Sequence, residues 1–334
     1  MKSDRKIIIY CNDSNYVIGG VELFNKNLED AFDEKGISYK SIYKINCLKK
    51  FNILREPLSI LYLIFVTRFI KTKFILIHHS NFYSILILPF IYPFFKEIRL
   101  ISHVGDEWMH IKNKFLRYLT IVLLKKCVNK TFVISDNQIR FLKGVNTHKV
   151  TSIIPKKFAK LPATKTSKEN YILFLARVCV EKGILDLLKI YEKNHKFLPK
   201  LKICGPINSQ SLRKKIIKSK NNCKEKIEIV EPVYQIEKKI KLIDECIFGI
   251  YPSYYDAFPL TPIEFFCRGK LCITSNISES INFIKDKKLL IEPGNFNHIK
   301  SSIEYCLGLI KNEKSNSEIN DTIKSAREIA EGKI

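Results

Sequence analysis

Short β-rich apolar runs alternate with stretches of helical periodicity from one end of this chain to the other, and that alternation constrains the fold more than any other feature. Strands separated by helices pair in parallel, with the helices crossing over the faces of the sheet. The first half offers candidate strands at 6–10, 39–43, 74–77, 99–102, 131–134 and 150–154. Between the first two, Val21, Phe24, Leu28, Ala31 and Phe32 recur at helical spacing, and Gly36 closes that helix. The polar, proline-containing segment 155–170 interrupts the pattern, which restarts with strands at 171–175, 201–204, 227–230, 247–251, 271–274 and 289–291. A chain of 334 residues has room for two domains. The expected architecture is α/β, with two Rossmann-like, doubly wound domains facing a cleft: a first domain over 1–155, a linker over 156–170, a second domain over 171–316, and a helical tail, 317–334, crossing back to the first. Ligands of such sheets bind at the carboxyl ends of the strands.

The densest chemistry lies at one strand-to-helix junction. Cys246-Ile-Phe-Gly-Ile-Tyr251 is short and apolar enough for a buried strand, and beyond it Asp256 and Glu264 stand eight positions apart. Thr261-Pro262 predicts an N-cap and first helical residue, and Gly269 a helix stop. A strand turning directly into a helix leaves unpaired N–H groups that attract phosphate, while neighbouring acids accept hydrogen bonds from sugar hydroxyls. A plainer alternative stands beside this one: Thr261-x-x-Glu264 spells a capping box, and Asp256 suits an ordinary turn. Arg177 and Lys182 flank the loop after the first strand of the second half, where they either clamp a diphosphate or are two surface cations among 57. Gly19-Gly20 precede the first helix, where a backbone can approach a phosphate closely or simply form a loop. No Gly-x-Gly-x-x-Gly occurs, which disfavours a dinucleotide enzyme.

An apolar content of 46% excludes a disordered chain. Ten cysteines without a Cys-x-x-Cys pair, some inside strand-like runs such as Cys204 and Cys272, predict reduced core residues of a cytoplasmic protein. The first ten residues have too short an apolar core for a signal peptide and read as a strand. The longest apolar stretch, 74–95, is broken by His78-His79-Ser80-Asn81, Pro89 and Pro93, so no spanning helix is expected. A net charge of +24 asks for an anionic partner. Nucleic acid is not expected, since the lysines are dispersed and no recognition module is present. An anionic membrane surface suits the mixture of basic and large apolar residues around 51–70, the alternative being a helix buried on all sides.

The stretch 251–269 resembles the paired-acid signature of retaining glycosyltransferases of family 4, which reads Pro-Ser-x-x-Glu-Gly-Phe-Gly and then Leu-x-x-Glu-Ala. Here Asp256 stands for the first acid, and Ala257 and Pro259 replace the glycines around Phe258. Pro259 has no N–H, so any contact from that nitrogen is lost. The resemblance extends to Gly19-Gly20-Val21-Glu22, to Arg177 and Lys182-Gly183 with Ala176 in place of glycine, to the strand ending Gly205-Pro206, and to Leu289-Leu-Ile-Glu-Pro-Gly294. It covers nearly the whole chain, most fully from 171 to 294. It implies the GT-B fold and transfer of a sugar from a nucleotide diphosphate to a saccharide acceptor, lipid-linked, as in building bacterial surface polysaccharide at the inner face of the plasma membrane. It also implies roles: Glu264 on the ribose, Asp256 on the donor sugar beside Phe258, Arg177 and Lys182 on the diphosphate with the amides of Leu260 and Thr261, and Gly19-Gly20 closing over the phosphates. Many members place a histidine after the fourth strand; in Ser102-His-Val-Gly-Asp-Glu-Trp108 the aligned residue is Gly105, leaving His103 or Asp106 on the acceptor side. There is no Asp-x-Asp and no metal-binding spacing; the family dispenses with a metal or other cofactor, using basic side chains and a helix dipole instead. Two alternatives stay open: an epimerase or hydrolase of the same fold, and an inactive relative that only binds.

Overall fold

Parallel sheets of strands buried on both faces read as near-continuous apolar runs, and the computed structural model contains two of them. It describes residues 6–11, 20–44, 52–79, 83–102, 113–150, 154–155, 157–160, 170–207, 209–256, 258–277, 281–312 and 316–332. The chain divides into two units, 1–153 and 154–334.

In the first unit, β1 (Lys6–Cys11), β2 (Tyr39–Tyr43), β3 (Thr72–His79), β4 (Ile98–Ser102), β5 (Lys130–Val133) and β6 (Thr147–Lys149) form one sheet in the order β2-β1-β3-β4-β5-β6, all parallel. Alternate residues of a strand point to opposite faces. On β1, Ile7, Ile9 and Cys11 pack with Phe24 and Leu28 of α1 (Gly20–Glu34), whereas Ile8 and Tyr10 join the other face. That second face is covered by α2 (Asn52–Thr67), α3 (Tyr83–Leu86), α4 (Leu88–Ile91), α5 (Lys114–Cys127) and α6 (Asp136–Phe141). One expected strand needs correction. The strand expected at 150–154 lies earlier, at Thr147–Lys149: it is a polar edge strand on β5, and the apolar Ile154 belongs to the core of the second unit. The apolar span 74–95 is a strand followed by short helical turns. The helix within 51–70 is not buried all round, since Leu61 and Phe65 are exposed.

The second unit opens with a helical turn, α7 (Lys157–Lys160), inside the segment expected to be a linker, because Phe158 inserts into the second core. Its sheet contains β7 (Tyr171–Leu175), β8 (Lys200–Cys204), β9 (Ile227–Val230), β10 (Phe248–Tyr251), β11 (Cys272–Ser275) and β12 (Leu290–Ile291), in the order β12-β11-β10-β7-β8-β9 and again parallel. Helices α8 (Ile184–Asn194), α9 (Gln210–Asn222), α10 (Ile236–Glu245), α11 (Leu260–Cys267), α12 (Phe296–Lys311) and α13 (Ser317–Ala330) complete it. The tail helix α13, expected to cross back to the first domain, makes contacts within the second unit: it packs on α11 and α7, burying Thr322, Ala326 and Ala330. Arg327 Nε donates to the Cys267 carbonyl at 3.2 Å. The nine described cysteines are free thiols, eight of them buried.

Candidate functional site

Strand order decides where a site can form. In the second sheet β7 lies between β10 and β8, so the connections leaving β7 and β10 part in opposite directions, the switch point at which open α/β sheets bind ligands. The loops at that point carry Arg177, Lys182 and Asp256. Two glycines let them close up. Gly205, after β8, has φ +150° and a side chain there would meet the Ala176 carbonyl oxygen at 1.8 Å; Gly183, at φ +73°, would meet the Pro252 oxygen at 1.9 Å. The loops are then stitched by backbone bonds, Val178 N to Pro206 O at 3.0 Å and Tyr254 N to Glu181 O at 2.8 Å.

This closeness brings together two residues that the sequence assigned separate roles. Lys182 Nζ lies 2.6 Å from Asp256 Oδ2, 2.6 Å from the Tyr251 hydroxyl and 3.3 Å from the Tyr255 carbonyl, so its three donors are all engaged. The Tyr251 hydroxyl in turn donates to Asp256, and the Phe258 amide donates to Asp256 Oδ1 at 3.1 Å. Burial would push the Asp256 carboxyl up, but the Lys182 ammonium and these hydrogen bonds outweigh it and hold it below the ordinary aspartate value. Burial, reinforced by the Asp256 charge, pushes the Tyr251 phenol well up, so it stays a donor. Arg177 is exposed, and among the described residues its guanidinium makes no hydrogen bond or ion pair.

Helix α11 supplies the rest. It begins at Leu260 after Pro259, with no side-chain cap, so Thr261 is not the N-cap that the sequence predicts. Its hydroxyl donates instead to the Leu175 carbonyl at 3.1 Å, which pins the helix N-terminus, with the amides of Leu260 and Thr261, to the end of β7. The absent side chain of Gly249 lets the Phe265 ring lie directly on β10. Glu264 is buried to 1% exposure and does not reach back as a capping box requires. Lys239 of α10 donates to its Oε1 at 2.6 Å, while Oε2 is buried with no hydrogen-bond partner among the described residues. Gly269 has φ +69° just beyond the helix, as expected of a stop. The preceding Arg268 is fully buried, donating to both oxygens of Asp244 at 2.8 Å and fixing the end of α11 against α10.

Arg177, Lys182, Asp256 and the amino end of α11 thus converge at the carboxyl ends of β7 and β10, with buried Glu264 further along that helix. Gly20 opens α1 at the carboxyl end of β1 in the other unit. Gly19, Ala257, His103, Gly105 and Asp106 lie outside the described residues. Tyr251 and Lys239 were missed from sequence. Tyr251 ends the strand of the acidic stretch, a position that hinted at its role; Lys239 is 25 residues from Glu264 on another helix, and no local pattern pointed to it.

A family model described as glycosyl transferases group 1 matches residues 155–326. Curated protein sequences give no match. Solved structures do: sucrose-phosphate synthase from Thermosynechococcus elongatus superposes with a TM-score of 0.79 at 14% identity, over 98% of this chain and 94% of that one. A glycosyltransferase from Rickettsia africae gives 0.72 at 18% identity, with the same shares of 98% and 94%. Anabaena HepE, in complex with UDP-glucose, gives 0.71 at 12% identity, again over 98% and 94%.

Proposed function

The chain belongs to the glycosyl transferases group 1 family and has the GT-B fold of two Rossmann-like units, and from that premise we propose that it is a retaining, metal-independent hexosyltransferase of the family 4 type. It moves a sugar from a nucleoside diphosphate to a lipid-linked saccharide at the cytoplasmic face of the membrane, in the synthesis of cell-envelope polysaccharide. The observation that carries this reading is the convergence of Arg177, Lys182 and the α11 amides at the switch point of the second sheet. A diphosphate there meets a guanidinium, an ammonium and a helix N-terminus, which together stabilise the charge growing on it as the glycosyl bond breaks. The unsatisfied Glu264 Oε2 invites a donor, and a ribose hydroxyl supplies one. UDP-glucose in the Anabaena structure supports a nucleotide sugar as the donor.

Retention accords with the state of the acids. Asp256 is ionised but held by Lys182, Tyr251 and the Phe258 amide, and Glu264 is buried against Lys239, so neither is poised as a nucleophile. The acceptor then attacks the face that the diphosphate is leaving, and a phosphate oxygen takes its proton. A panel of nucleotide sugars screened by thermal shift identifies the donor, and NMR of the product formed on a soluble saccharide acceptor reads the anomeric configuration. We expect the donor's configuration and full activity with a chelator present. An inverted product, or activity that disappears with the chelator and returns with a divalent ion, overturns the mechanism.

A further inference from the structure

Three elements on one face of the first sheet turn large apolar side chains to solvent. Helix α2 buries Ile60 and Leu63 in the core and presents Leu58, Leu61, Tyr62 and Phe65 outward; Phe69 follows just past its end at 77% exposure. The turn Tyr92–Phe94 after α4 exposes Tyr92 and Phe94, and the first turns of α5 expose Phe115 and Tyr118, both at 67%. Because α2, α4 and α5 send Leu63, Ile91 and Leu124 into the same core cluster, and α4 packs on both its neighbours, their outer sides form one surface. Isolated exposed apolar residues need no explanation, but a contiguous aromatic surface does.

Charge selects the occupant. Arg68, Lys71, Lys73, Lys96 and Lys114 border this surface, while segments 52–73, 83–97 and 114–127 contain only Glu56 and Glu97 as acids, and Glu97 accepts from Arg99 at 2.7 Å. Between α2 and the turn lies a crevice of about 440 Å³ with Ile64, Ile70 and Phe94 among its lining and Arg68, Lys73 and Lys96 around it. A second copy of the chain would bring an equally basic rim against this one, on a molecule of net charge +24. We infer that the outer surface of α2, the turn Tyr92–Phe94 and the start of α5 is a docking face for an anionic membrane. Its aromatic side chains sit at the boundary of headgroups and acyl chains, and its cations lie on lipid phosphates. The inference takes its purpose from the lipid-linked acceptor proposed above, but it extends the contact well beyond the segment 51–70 and stands on its own observations.

The test is co-sedimentation with phosphatidylglycerol-rich and with phosphatidylcholine vesicles. We expect binding to the former at least ~tenfold tighter, weakening as added salt screens the charge. The triple variant Leu61→Ser, Phe65→Ser, Phe69→Ser should bind anionic vesicles ~tenfold or more weakly, as should Arg68→Glu, Lys71→Glu, Lys73→Glu, Lys96→Glu. The matched set Arg213→Glu, Lys214→Glu, Lys215→Glu, Lys218→Glu on α9 removes as much charge from the second unit and should bind like wild type. Transfer to a soluble saccharide acceptor, unchanged in all three variants, reports intact folding; a wild type without transfer counts against the proposed activity and not against this surface. Absence of vesicle binding, or equal loss in both charge-reversed sets, overturns the inference. So does a concentration-dependent dimer in ultracentrifugation that the aromatic triple variant abolishes, because the occupant would then be a second copy.

Discussion

Lys182 has three donors and three acceptors around it, whereas no acceptor meets the Arg177 guanidinium among the described residues, so the two cations of the candidate diphosphate site should respond differently to removal. Either alanine substitution should cut turnover by about two to three orders of magnitude, the scale for losing a pre-organised electrostatic partner. Only Lys182→Ala should also cost stability, about 1–3 kcal/mol, because it strands the Asp256 charge; Arg177→Ala should melt within about 0.5 kcal/mol of wild type. The Asp256 carboxyl is depressed in the folded state, so the pair stabilises above the ordinary aspartate value and its contribution is lost as pH falls through the lowered one. The stability gap between wild type and Lys182→Ala should therefore persist at neutral pH and shrink under strong acid; a gap that grows with acid contradicts the assignment. The two acids separate in calorimetry. Glu264→Gln should weaken the free nucleoside diphosphate, whereas Asp256→Asn should spare it and penalise only the sugar-bearing donor. Unchanged affinities for both ligands in Glu264→Gln would make that carboxylate purely structural.

At the scale of elements, what holds the site is the close approach of loops after β7, β8 and β10. Gly183 and Gly205 have positive φ, and in each the space for a side chain is filled by a backbone carbonyl that cannot swing aside. Gly183→Ala and Gly205→Ala should each destabilise by about 1–3 kcal/mol or more and impair donor binding, since the strained conformation and the clash add. Gly308 lies in α12 with nothing within 4 Å of the added carbon, so Gly308→Ala should raise stability by about 0.4–1 kcal/mol. Thermal denaturation of the three variants checks the contrast. A Gly183→Ala protein as stable as Gly308→Ala would mean that the two loops are not pressed together.

Across the whole molecule, the second unit has a core of its own, running from Ile154 to Ala330 and including Phe158 of α7 and Ala326 of α13. Arg177, Lys182, Asp256, the α11 amides and Glu264 all belong to it. Residues 154–334 alone should therefore fold cooperatively and bind nucleoside diphosphate within about tenfold of the full chain, while sugar transfer is lost with the first unit. Circular dichroism and calorimetry on that fragment decide the point. A fragment that folds but binds no nucleotide would assign the donor site to residues of the first unit, the Gly19-Gly20 pair foremost.

Most strands and helices were legible in the chain because apolar periodicity is a local property, set by which face each element must bury. It failed where an element is not buried: β6, a polar edge strand, carries too few apolar residues to be seen, and the exposed side of α2 made an amphipathic helix read equally as a buried one. The acids, the cations and their loops were legible as residue types in places where a backbone turns. Their partnership was not. Lys182 and Asp256 are 74 residues apart, and they meet only because β7 pairs with β10 and two glycines let the loops close. The same holds for Thr261, whose hydroxyl is taken by the Leu175 carbonyl 86 residues earlier and so caps nothing, and for Glu264, claimed by Lys239 of α10. Local sequence decides which groups are available; strand order decides which of them share a low-dielectric space, where one ammonium at 2.6 Å determines what a carboxylate can do.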